Sequence, residues 1–176
     1  MKKQILILVT AFLMAPFLSN AQNFEKYTDM PGVSSMLVTS EMFKLLSDID
    51  FESEDPETQA YVSLIENLEN IRVISTTDSG IGSKMATDAK SYLKSSGMKM
   101  LMSFKDDGQD VKFYIRPGSS EGLVKELFMF MEGKENGKPM TTIMRITGNV
   151  DLKQVSKLAK DLDVPGAGEL EKVDEK

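Results

Sequence analysis

Two Ser-x-x-Lys spacings, Ser91-Tyr92-Leu93-Lys94 and Ser96-Gly97-Met98-Lys99, are the nearest this sequence comes to a nucleophile with its base. In penicillin-interacting enzymes such a lysine activates the serine without any histidine, but those enzymes also carry Ser-Asp-Asn and Lys-Thr-Gly elements. Neither companion is present, and in a chain with this many serines and lysines two such spacings are expected by chance. Asp48-x-Asp50-x-Glu52-x-Glu54 alternates oxygen ligands in the manner of a calcium loop. Ser53 stands where that loop needs its sharp-turn glycine and Gln59 where it needs a bidentate glutamate, so the reading is a solvated acidic loop. Gly80-Ile81-Gly82-Ser83-Lys84 ends like a phosphate loop but lacks the four-residue spacer between its glycines.

The methionines are the least ordinary residues. There are 13, and Met98, Met100 and Met102 alternate along one expected strand, which predicts three thioethers on one face. Soft thioethers suit Cu(I), so these three are the candidate metal ligands. Methionine is also an adaptable core filler, and Phe104 continues the same alternation. Core packing is therefore the preferred reading, and no metal or other cofactor is expected.

The absences narrow the chemistry further. There is no histidine, which removes the commonest general base, the Ser-His and Cys-His pairs and the imidazole ligands of most zinc and copper sites. There is no cysteine, so neither disulfides nor the lipid anchor that needs a cysteine at the first mature position can contribute. The formal net charge of −6 becomes −8 without Lys2 and Lys3, and Arg72, Arg116 and Arg145 are the only arginines. Such a surface repels phosphate backbones, so nucleic acid is not an expected partner. The same acidity disfavours anionic lipid.

Periodicity sets out the elements that must position these residues. A strand is expected over 33–38, followed by a helix whose Met42, Leu45, Leu46 and Ile49 share a face. Pro56 opens a second helix with Tyr61, Leu64, Ile65 and Leu68 at helical spacing. A β-branched strand over 71–76 leads to a third helix marked by Met85, Ala89, Tyr92 and Leu93 and stopped at Gly97. Alternation over 98–105 and 111–116 flanks Asp107-Gly108, and strands over 123–131 and 140–147 flank Asn136-Gly137. Both are hairpin signatures. Asp151 then caps a closing helix whose Leu152, Val155, Leu158, Ala159 and Leu162 form one stripe. The expected architecture is α+β: a mostly antiparallel sheet of about five to six strands with three to four helices packed on one face.

The N-terminus carries a secretory signal: Lys2 and Lys3, an apolar run over 5–18, and small residues before a cleavage point between Ala21 and Gln22. The run is broken by Pro16 and is shorter than the ~20 residues that span a bilayer, so cleavage is expected rather than a stable membrane anchor. The expected division is a signal peptide at 1–21, one α+β domain at 22–164 and a flexible charged tail at 165–176.

Phe24-x-x-Tyr27, the run Met36-Leu37-Val38 to Met42-Phe43-Lys44-Leu45-Leu46, Leu68-Glu69-Asn70-Ile71-Arg72-Val73, and Ile146-Thr147-Gly148-Asn149-Val150-Asp151-Leu152 together resemble the DUF4252 family. The resemblance implies a small exported protein of Bacteroidota, in a setting of envelope regulation near extracytoplasmic sigma factors. It implies no catalytic residue, and some relatives look like lipoproteins where this chain has no cysteine. The expected function is an exported, non-enzymatic binding or interaction module of the bacterial envelope, periplasmic or extracellular, with a protein partner. The alternatives are a histidine-free enzyme built on a carboxylate pair and a thioether Cu(I) binder.

Overall fold

The computed structural model describes residues 24–47, 59, 62–63, 66–106, 108–120 and 122–152. A 3-10 turn at Glu25–Tyr27 precedes β1 (Val33–Thr39) and α1 (Ser40–Ser47). Then come β2 (Leu68–Thr76), α2 (Ser79–Ser96), β3 (Lys99–Asp106), β4 (Gln109–Pro117), β5 (Leu123–Glu135) and β6 (Lys138–Asp151). The strands form one antiparallel sheet in the order β1-β2-β6-β5-β4-β3.

Local chemistry accounts for most of these elements. Asn136 and Gly137 both take positive φ (51° and 79°), and Glu135 pairs with Lys138 across them. That is the two-residue turn whose twist matches the flanking strands, and it sets the register of the longest pair in the sheet. The Asp78 carboxylate caps α2 by accepting the Ile81 N–H at 2.8 Å, and the helix ends on Gly97 in the left-handed conformation. Met85, Ala86, Ala89 and Tyr92 give α2 its buried stripe. Burying each of the larger ones is worth roughly 1.5–3 kcal/mol.

α2 crosses β6 and β2 and covers one face of the sheet. There Phe24, Tyr27, Ile74, Phe128, Phe130 and Ile143 pack against Met85, Ala86, Ala89 and Tyr92. Phe24, Tyr92 and Phe128 form a closed aromatic triangle with ring centroids 5.5–5.6 Å apart. This contact pins the segment before β1 to the sheet. The helix approaches closely because residue 82 is glycine: a Cβ there would lie 2.7 Å from Thr141 Oγ1.

The structure departs from expectation in three respects. The sheet is apolar on both faces, since Leu68, Val111, Phe113, Val124, Leu127, Met129, Met131, Met144, Ile146 and Val150 form a second buried cluster on the side away from α2. Leu68 opens β2 rather than closing a helix; it is buried and pairs with Gly148, so partnership with β6 overrides its helical spacing. Asp151 closes β6 at the Leu123–Asp151 pair and Leu152 directly after it is helical, while the rest of the expected closing helix lies outside the described residues. Finally, among the described residues only α1 and α2 stand as helical elements, short of three to four. Gln59, Val62, Ser63, Glu66, Asn67 and Leu152 are individually helical. The remaining marker residues of the expected 61–68 and closing helices lie outside the described residues, as do residues 1–21, the acidic loop and the 165–176 tail.

Candidate functional site

Each strand of the α2 face contributes polar groups as well as apolar ones. β5 reads Leu123-Val124-Lys125-Glu126-Leu127-Phe128, and a register shift between Val124 and Glu126 turns the Glu126 side chain towards α2. Arg116 on β4 pairs with Glu126 across the ladder, and Arg145 on β6 pairs with Phe128 one step along. Glu126, 3% exposed, thus lies between two guanidiniums: Arg145 Nε is 2.5 Å from Oε1 and Arg116 Nη2 is 3.1 Å from Oε2. Tyr92 of α2 donates its hydroxyl to Oε1 at 2.6 Å. Arg116 Nη2 also donates to the Tyr92 oxygen at 3.2 Å, and the Arg145 guanidinium lies 5.4 Å from the Tyr92 ring centre.

Burial pushes the Tyr92 phenol up, its hydrogen bond to Glu126 adds to this, and the nearby guanidiniums only partly offset it. Burial alone would lower Arg145, but the hydrogen bond and charge of Glu126 carry it above its ordinary value. Both Glu126 oxygens are therefore engaged by protein donors, which suits a structural clasp better than a base awaiting substrate. Within this cluster Arg116 Nε and Thr147 Oγ1 are buried without a hydrogen-bond partner.

A second polar group sits at the N-terminal side of α2. Lys26, Tyr27, Met30, Ser83, Lys84, Thr87 and Asp88 line an open concavity of about 410 Å³. Asp88 Oδ2 receives both the Tyr27 hydroxyl at 2.6 Å and Lys26 Nζ at 2.5 Å. Burial pushes Asp88 up, yet the hydrogen bonds from Lys26 and Tyr27 and the Lys26 charge outweigh it and hold the carboxyl below its usual range. Tyr27 is raised by burial first and by Asp88 second. Among the described residues that line this concavity Asp88 is the single acid, so they do not assemble the pair of carboxylates that a glycosidase requires.

The residues singled out in the sequence are dispersed. The register shifts between Met100 and Met102, which turns the strand over: Met100 faces Tyr114 on the α2 side, whereas Met102 faces Phe113 on the other. Met98 packs with the α2 cluster, Met102 with the opposite one, and Met100 is 55% exposed. The three thioethers do not share a face, contrary to simple alternation, because the bulge inserts one residue into β3. Ser91 and Lys94 are both exposed on α2, and the Ser96 hydroxyl donates back to the Leu93 carbonyl. The 80–84 glycine segment forms the first turns of α2, with the Asp78 carboxylate already on the N–H that a phosphate would need.

The strongest outward feature is apolar. Among the described residues Met36 (51% exposed) and Leu37 (49%) on β1 and Met42 (50%) and Leu45 (65%) on the following α1 are large apolar side chains left exposed, with Met36 and Leu37 on opposite faces of the strand. β1 is an edge strand, and Ser34, Ser35, Met36 and Leu37 are all exposed.

The family model for a domain of unknown function, DUF4252, matches residues 27–158. The chain belongs to the DUF4252 family. No curated protein and no solved structure matches it. The matched DUF4252 region contains every strand of the sheet, the Glu126 clasp and the β1–α1 surface. Sequence reasoning missed the clasp, although one signal for it was present: Glu126 is a lone acid within an apolar run.

Proposed function

We propose that this DUF4252 protein is an exported, non-enzymatic binding module of the bacterial envelope, acting in envelope sensing or sigma-factor regulation through a protein partner. The observation that carries the reading is the β1–α1 surface, where four large apolar side chains stand about half exposed or more on an edge strand and the helix that follows it. Exposed apolar side chains gathered on an edge strand and the helix after it mark a docking site, and the edge strand offers unpaired backbone groups to an extended segment. The non-enzymatic part is supported by the Glu126 and Asp88 carboxylates, which are held by arginine, lysine and tyrosine of the same chain. Export is supported by the signal-like residues 1–21.

In-cell crosslinking followed by affinity capture and mass spectrometry tests this reading. Reproducible enrichment of one envelope protein, lost in a Leu45→Glu variant, is the expected result. Repeated recovery of the bare protein contradicts it. Mass analysis of the captured chain reports on export, which requires a new N-terminus at Gln22.

A further inference from the structure

The two edges of the sheet are built differently. β3 carries a bulge between Met100 and Met102 and the charged residues Lys99, Lys105 and Asp106, with Lys105 paired to Asp110. Bulges and charges are what natural sheets use to keep an edge from pairing with another chain. β1 has neither: Val33-Ser34-Ser35-Met36-Leu37-Val38-Thr39 contains no charge and no proline, and all seven residues pair with β2 in unbroken register. It is a straight, neutral edge whose central side chains are exposed.

We propose that two copies of this chain pair through β1, antiparallel about a two-fold axis at Met36, joining their sheets into one. This rests on the reading of the β1–α1 surface as a docking surface and names its occupant. Full overlap of the strand with itself places Met36 opposite Met36 of the second copy, Leu37 opposite Ser35, Val38 opposite Ser34 and Val33 opposite Thr39. A small hydroxyl side chain thus faces each flanking apolar one, and the two thioethers meet at the axis. Met36 and Val38 lie on the side of Val73 and Ile71 through the β1–β2 register, so the new contact extends an existing apolar row. Seven neutral residues also keep the acidic net charge of each copy out of the join. Because the β3 edge is guarded, the assembly closes at two copies instead of growing into a fibre.

The absence of native cysteine gives a direct test in the protein as the cell produces it. Under mild oxidation Met36→Cys is expected to form a disulfide-linked dimer, its thiols facing each other across the axis. Ser34→Cys is expected to remain unlinked, since four residues of offset separate the two thiols by about 14 Å along the strand, beyond disulfide reach. In sedimentation equilibrium the unmodified protein is expected to be dimeric. Met36→Lys, at a position exposed enough to leave the fold and its circular dichroism intact, is expected to raise the dimer dissociation constant at least about tenfold.

Linking at Ser34 as readily as at Met36, or a dimer indifferent to Met36→Lys, overturns the proposal, as does a monomer at every concentration tested. A monomer that captures another protein by crosslinking at β1 overturns self-pairing and leaves the docking reading intact. A monomer that captures nothing overturns both. A Met36-linked dimer without a further partner upholds self-pairing and removes the envelope partner.

Discussion

The Tyr92 hydroxyl and the Glu126 carboxylate, 34 residues apart in the chain, meet at 2.6 Å and join the last turns of α2 to the centre of the sheet. Arg116 and Arg145 hold the same carboxylate from the neighbouring strands, so one buried acid is shared by four elements. Removing a partner from a buried charge costs more than the pair contributes, because the remaining charge is left uncompensated. Glu126→Ala, which strands two guanidiniums, is expected to lower unfolding free energy by about 3–5 kcal/mol. Tyr92→Phe, which removes only a hydrogen bond, is expected to cost about 1–1.5 kcal/mol. Urea denaturation of both variants and their double mutant checks this. A double mutant as unstable as the sum of the two would mean that the residues are not coupled.

Stability should be flat with pH through neutrality and fall at both ends. Without histidine, no side chain has an ordinary pKa between about 5 and 8. Asp88 is held below its usual value, so its contribution is complete above the unfolded value of about 3.9 and is lost as pH falls through the folded one. Tyr27 and Tyr92 are raised; the folded state keeps their protons longer, so their contribution is complete below about pH 10 and is lost at higher pH. Denaturation midpoints across pH should show the plateau, with a weaker acid limb in Asp88→Asn. An unchanged acid limb in that variant would contradict the assignment to Asp88.

Gly82→Ala should destabilise the protein even though alanine is the better helix former. The added Cβ would meet Thr141 Oγ1 at 2.7 Å and Thr141 Cβ at 3.3 Å, so α2 or Thr141 must shift. The expected cost is about 1–3 kcal/mol, partly recovered when Thr141 is also replaced by alanine. A Gly82→Ala protein with a raised melting temperature would show that α2 docks more loosely than this.

Replacing Met98, Met100 and Met102 together by leucine should leave Cu(I) retention against a competing chelator unchanged, since the bulge in β3 keeps the three thioethers from converging. Near volume-conserving changes of this kind cost less than about 1.5 kcal/mol each. Loss of retained Cu(I) in the triple variant would restore a shared site.

The same bulge shows where sequence reading reaches its limit. Turn chemistry at Asn136-Gly137 and the stripe of Met85, Ala89 and Tyr92 are local signals, and the structure follows them to β5–β6 and to α2. One inserted residue near Leu101 leaves no local mark, yet it reverses every side chain beyond it. Leu68 was misleading because helical spacing and a strand start look alike until its partner Gly148 is known. The clasp was hidden for a related reason: Tyr92, Arg116, Glu126 and Arg145 are brought together only by the long-range order of the sheet. Phe128-Met129-Phe130-Met131 is apolar at every position, as an interior strand requires, and β5 lies within the sheet with both its faces buried.

The docking role of the β1–α1 surface is tested most directly by placing a photo-crosslinking amino acid at Leu45 in living cells and, as a control, at the exposed polar residue Ser91 of α2. A single reproducible protein adduct from position 45 and none from position 91 is the predicted result. Equal adducts from both positions, or only the unlinked chain from position 45, would contradict it.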